Sequence, residues 1–122
     1  TLDANVDGDE NVAVGHAALT SLDPSGNVDM HNVAVGNSSG QSLTVGVQNT
    51  ILGNHALLTD SLGSLSTAIG YKALYAQAPS GATDMGNVAV GANAGVALTT
   101  GIRSVFIGEN AGDTCWSYWC WF

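Results

Sequence analysis

Charge is what this chain has least of. Only 10% of its 122 residues are charged, against roughly 25% in an average soluble domain. Ten acidic residues face two basic ones, Lys72 and Arg103, for a formal net charge of −8. Phosphate binding needs a basic footprint, so nucleic acid is not expected as a partner, and an anionic membrane surface is disfavoured for the same reason. No apolar run approaches the roughly 18 residues of a membrane-spanning helix, and no signal-peptide pattern is present. Large side chains are scarce too. Tyr71, Tyr75 and Phe106 are the only aromatics in the first 114 residues, while Trp116, Tyr118, Trp119, Trp121 and Phe122 crowd the last seven. That distribution excludes an ordinary globular core. The body must be held by small and β-branched residues in a regular arrangement.

Such regularity is present. One phrase recurs six times: Asn11-Val-Ala-Val-Gly15, Asn32-Val-Ala-Val-Gly36, Asn49-Thr-Ile-Leu-Gly53, Ser66-Thr-Ala-Ile-Gly70, Asn87-Val-Ala-Val-Gly91 and Ser104-Val-Phe-Ile-Gly108. Its glycines are spaced by 21, 17, 17, 21 and 17 residues. Three positions after each glycine stands a small residue: Ala18, Ser39, Ala56, Ala73, Ala94 or Ala111. The two long intervals carry four extra residues, Asp23-Pro-Ser-Gly26 and Ala78-Pro-Ser-Gly81, which match one another at an offset of 55. Leu2 holds the place of Leu57 at that same offset, so the array begins partway through a repeat and earlier repeats are expected before it.

A phrase such as Asn-Val-Ala-Val alternates in side-chain direction and favours β structure, so it reads as a short strand. The glycine after it suits a positive φ or a close approach of backbones. A second extended piece is expected through the small residue three positions on, followed by a Ser/Thr/Asp/Gly turn. Glycines every seven to ten residues leave no helical period intact. The expectation is an all-β, parallel β-solenoid of about 17-residue coils, two of them lengthened to 21. It occupies residues 1–112, and residues 113–122 form an aromatic, cysteine-containing tail. Asn11, Asn32, Asn49 and Asn87 would stack, with two readings open: an amide ladder between coils, or turn residues that enter each strand.

The blocks Asn87-Val-Ala-Val-Gly91-Ala-Asn-Ala-Gly95 and Ser66-Thr-Ala-Ile-Gly70-Tyr-Lys-Ala-Leu74 resemble the repeats of trimeric autotransporter adhesin heads and of bacteriophage tail fibres. The resemblance runs from about Leu2 to Gly112. It implies a left-handed parallel β-roll, three chains intertwined or packed side by side, and a place on a surface-exposed fibre. The 17- and 21-residue spacing exceeds that of the shortest adhesin-head repeats, and the tail matches nothing in that family. Physical reasoning also points to self-association. A thin coil of small side chains encloses little apolar area and leaves open strand edges, so a homotrimer or an end-to-end filament is expected.

Candidate sites are few. Cys115 and Cys120 read as a disulfide of an extracellular protein, with free thiols or a metal pair as the alternatives. The aromatic cluster Trp116, Tyr118, Trp119, Trp121 and Phe122 reads as a cap on the last coil, as a plug into a neighbouring subunit, or as a sugar-stacking platform. Asp3, Asn5, Asp7 and Asp9, with Gly8 at the sixth position, have the opening spacing of a calcium loop. Val14 stands where the bidentate Glu belongs, however, and the segment coincides with an inter-strand turn. His16, His31 and His55 follow no common phase and read as surface or turn residues, with metal binding between symmetry-related chains as the alternative. Asn37-Ser38-Ser39 is a glycosylation sequon. No nucleophile elbow, phosphate loop or His-Glu metal motif occurs, so an enzyme is not expected.

The reading that follows is a structural and adhesive domain of a viral tail fibre or bacterial adhesin head, located extracellularly, on a cell surface or on a virion. It would project a multivalent surface toward a cell-surface glycan or protein receptor. The alternatives are a filament subunit docking through its aromatic tail, and an ice-binding solenoid. The last needs an aligned threonine face, for which only Thr50 and Thr67 qualify.

Overall fold

The computed structural model describes residues 1–5 and 7–114. Each repeat phrase places a three-residue strand: β2 (Val12–Val14), β4 (Val33–Val35), β5 (Thr50–Leu52), β7 (Thr67–Ile69), β9 (Val88–Val90) and β10 (Val105–Ile107). These six form one parallel sheet in the order β10-β9-β7-β5-β4-β2. Pairing follows the repeat: Ala13 lies beside Ala34, Ala34 beside Ile51, Ile51 beside Ala68, Ala68 beside Ala89, and Ala89 beside Phe106. The four extra residues of each long coil are therefore absorbed outside the strands. At about 4.8 Å per rung the sheet is roughly 24 Å long. The fold is a parallel β-solenoid, and no helix occurs among the described residues.

The second extended piece is not where the sequence places it. The residues that follow each glycine are turns rather than strand, because two of them adopt left-handed backbone conformations. Ala17, Ser38, His55, Lys72, Asn93 and Asn110 have φ between 54° and 59°. Leu19, Gly40, Leu57, Leu74, Gly95 and Gly112 follow two positions later, with φ between 49° and 66°. Left-handed backbone costs a non-glycine residue about 1–2 kcal/mol. For Leu19, Leu57 and Leu74, all fully buried, the roughly 1.5–3 kcal/mol gained by burying the side chain offsets that cost. The coils still hydrogen-bond one to the next here, as from Leu57 N to Ala73 O at 2.9 Å and from Leu74 N to Ala94 O at 3.0 Å.

Short strands form instead ahead of the main sheet. They are β1 (Gly8–Asp9) with β3 (Val28–Asp29), and β6 (Gly63–Ser64) with β8 (Thr83–Asp84), both pairs parallel. Gly8 pairs with Val28 while Val12 pairs with Val33. The second coil thus carries one extra residue at 30–32, a bulge that breaks the count kept elsewhere. The same slip recurs 55 residues on, where Gly63 pairs with Thr83 but Thr67 with Val88.

The core is a set of stacked columns whose sizes compensate. Strand centres are alanine except for Ile51 and Phe106, and both of these are buried. A Cβ on Gly40 would lie 2.7 Å from Ile51 Cδ1, and one on Gly95 would lie 2.9 Å from Phe106 Cδ2. Where the strand residue grows, the facing leucine column yields to glycine, which keeps the interior filled without overpacking.

Candidate interaction surface

With the centre of each strand turned inward, the residues on either side of it point outward. Parallel, in-register pairing lines them up in two columns. One holds Val12, Val33, Thr50, Thr67, Val88 and Val105, and the other Val14, Val35, Leu52, Ile69, Val90 and Ile107. Ten of the twelve are aliphatic and none is charged. Val14, Leu52 and Ile107 are 56%, 47% and 71% exposed. A soluble sheet that faces water normally alternates apolar inward with polar outward. Here both faces are apolar, in a chain of net charge −8.

Two columns some 24 Å long make a flat strip of about 300 Å². That is the size of the larger apolar patches on soluble proteins, which mark contacts. A standard interface buries about 800 Å² per partner. The strip therefore suits the apolar centre of a contact whose rim comes from the polar corners of the coil.

The stacked asparagines form a ladder, with Asn32, Asn49 and Asn87 buried inside the coil and Asn11 partly buried. Asn11 Oδ1 accepts from Asn32 N at 3.0 Å, Asn32 Oδ1 from Asn49 N at 2.9 Å, Asn49 Oδ1 from Ser66 N at 2.9 Å, and Asn87 Oδ1 from Ser104 N at 2.9 Å. The amides of Asn32, Asn49 and Asn87 donate across the coil to Gly46 O, Gly63 O and Gly101 O at 2.7–3.0 Å. The six glycines at Gly15, Gly36, Gly53, Gly70, Gly91 and Gly108 stack on one another with φ of 118–141°. A Cβ on Gly70 would lie 2.5 Å from Gly91 O.

Of the calcium-loop residues, Asn5 is engaged with Gly8 in both directions. Its Nδ2 donates to Gly8 O at 2.7 Å and its Oδ1 accepts from Gly8 N at 2.8 Å. Asp3 accepts from the N-terminal amine at 3.0 Å, and Asp9 lies in β1 beside Asp29. Asn37 is exposed at a corner, where Ser38 donates to its Oδ1 at 3.2 Å. The hydroxyl of Ser39 is directed at Gly36 O at 3.0 Å. Cys115, Cys120, Trp116, Tyr118, Trp119, Trp121 and Phe122 lie outside the described residues.

Two groupings escaped the sequence reading. The first is a buried polar network around Asp60. Asp60 Oδ1 accepts from Gly63 N at 2.7 Å and Leu62 N at 3.1 Å, and Oδ2 accepts from Gln77 Nε2 at 2.6 Å. Gln77 also donates to Ser66 Oγ at 3.0 Å and accepts from Asn87 Nδ2 at 2.7 Å. Desolvation by burial raises the Asp60 carboxyl above its ordinary value, partly opposed by the hydrogen bonds from Gln77, Gly63 and Leu62. The signal was available: seven residues after the repeat glycines stand Leu22, Leu43, Asp60, Gln77 and Leu98, two polar residues in a leucine column. The second grouping is Glu10, Asp29 and His31, brought to one exposed spot on the first two coils.

Comparison of the chain with protein-family models, with curated proteins and with solved structures returns no match.

Proposed function

We propose that the chain is a structural domain of an extracellular surface fibre, of the viral tail-fibre or bacterial adhesin-head kind, which associates with copies of itself and displays a multivalent surface toward a glycan or protein receptor. The observation that carries this reading is the charge-free aliphatic face of the six-stranded sheet. Six of the ten aliphatic side chains on this strip are exposed and the other four half-buried, which is unfavourable for a lone solenoid, and an acidic chain that keeps every charge off that strip has a surface suited to self-contact. A rigid, repetitive body is a suitable carrier for many weak contacts, because linked sites raise effective concentration without new chemistry.

End-to-end assembly is the second reading, favoured by a different observation. Among the described strands, β2 and β10 each have a neighbour on one side only, and a parallel edge strand is a template for pairing with another copy. Native mass spectrometry of the whole chain, beside the Leu52→Lys/Ile69→Lys variant, separates the two. Side-by-side assembly gives a discrete oligomer that the charges dissolve. A polydisperse ladder of species insensitive to those charges supports the filament. A wild-type monomer at micromolar concentration overturns both.

A further inference from the structure

We propose that Glu10, Asp29 and His31 bind a borderline divalent cation of the zinc class, independently of how the chain assembles. One ligand atom from each residue lies within 4.8 Å of the others, close enough for small rotations of these exposed side chains to bring all three onto one metal ion. An imidazole nitrogen with two carboxylate oxygens is a donor set suited to such ions, and the exposure of all three leaves positions open to water. His31 Nδ1 stands 2.8 Å from Glu10 Oε2, so nitrogen and carboxylate already converge.

The backbone makes this convergence. Asp9 and Asp29 are partners across β1 and β3, and the bulge at 30–32 carries His31 past them with φ of 53°, while Glu10 has φ of 58°. Asn27, with its amide nitrogen turned toward them, donates to Asp9 Oδ2 at 2.6 Å and Asp7 O at 3.3 Å. That engages one oxygen of Asp9, and the second carboxylate of the cluster is Asp29. Like charges on adjacent strands repel, and the two basic residues, Lys72 and Arg103, lie in later coils. The local field therefore favours a cation.

The internal duplication supplies a control. Residues 55 positions on repeat the same strand pair and the same slip, with Leu65, Asp84 and Gly86 in place of Glu10, Asp29 and His31. Leu65 and Gly86 also have positive φ, 62° and 59°. The fold thus forms at this place without the imidazole or the glutamate. At its first occurrence it carries two extra donors, one of them a histidine at a left-handed position that glycine fills in the second.

The test is titration of the whole chain with zinc chloride by calorimetry, while the His31 imidazole resonances are followed by NMR. One site that shifts those resonances is expected. The Glu10→Leu/His31→Gly variant, which copies the second occurrence, is expected to lose that site or to weaken it by at least about tenfold, with its far-UV spectrum unchanged. His31→Gln serves as a second variant that preserves side-chain bulk. No zinc binding by the wild type overturns the proposal, and so does zinc binding of equal affinity in folded variants.

Discussion

Gln77 donates through Nε2 to Asp60 Oδ2 at 2.6 Å, inside the coil, at two successive places in a column that otherwise holds Leu22, Leu43 and Leu98. The pair occurs where the asparagine ladder is interrupted. Ser66 stands in place of asparagine, and the Gln77 carboxamide reaches over to it and to Asn87. One side chain bridges the gap left by another, so Asp60, Ser66 and Asn87 all keep buried partners.

Asp60 gives the protein a pH dependence of unusual sign. Its carboxyl is raised above 3.8, with desolvation by burial as the first cause. The folded state therefore holds that proton more tightly than the unfolded chain does. The stability contributed by the proton is complete below the unfolded value and is lost as pH rises through the folded one. Thermal melts of the wild type and of Asp60→Asn across the acid range are expected to show a difference in Tm that falls as pH rises, then levels. The slope is the readout, because the introduced carboxamide would itself oppose Gln77 Nε2. A difference that grows with pH contradicts the assignment.

The glycines divide into those the fold needs and those it does not. Gly70 has φ of 129°, and a Cβ there would meet Gly91 O at 2.5 Å. Gly70→Ala must push two coils apart and is expected to cost several times the roughly 1 kcal/mol typical of point substitutions. Gly81 has no atom within 4 Å of such a Cβ and no positive φ. Gly81→Ala is expected to be neutral or to stabilise by about 0.4–1 kcal/mol, through the unfolded chain. Urea denaturation of the two variants checks the contrast.

Phe106 and Gly95 are expected to be coupled. Phe106→Ala empties a buried site and should cost about 3–5 kcal/mol. Gly95→Ala places a methyl 2.9 Å from Phe106 Cδ2. In the Phe106→Ala background the methyl enters the vacated space, so its cost should drop toward the backbone strain of an alanine at φ of 60° and its contact with Leu74 Cδ2 at 3.0 Å. A double-mutant cycle should give a non-additivity of about 0.5–3 kcal/mol. Strict additivity would show that the glycine serves only its backbone conformation.

The main sheet was legible because one phrase carries both strand and register: counting between glycines pairs Val12 with Val33 and Val88 with Val105 without reference to space. The second side of the coil was not legible. Its left-handed positions are filled by Leu19, His55 and Lys72 as well as by glycine, so no residue type announces them. The slip at 30–32 is a backbone event with no compositional mark. Without it Glu10, Asp29 and His31 do not read as neighbours. The outer face was hidden for another reason: Val-Ala-Val does alternate, but in size rather than polarity, and the larger residues face out.

The asparagine ladder should weaken unevenly when it is cut. Asn32 is fully buried, and its side chain meets Gly46 O, Asn49 N and the Asn49 amide at 2.8, 2.9 and 3.1 Å. Removing it leaves buried groups without partners, each at a cost of about 1–3 kcal/mol. Asn11 makes a comparable bond to Asn32 N at 3.0 Å, but it is only partly buried in the first full coil, so water can replace its carboxamide. Asn32→Ala should therefore lower the free energy of unfolding by at least about 2 kcal/mol more than Asn11→Ala, measured by urea denaturation. Equal losses at the two positions would mean that the amides act as strand-entry turns with local effect, because a turn residue contributes the same at every coil, whereas a ladder depends on how dry each rung is.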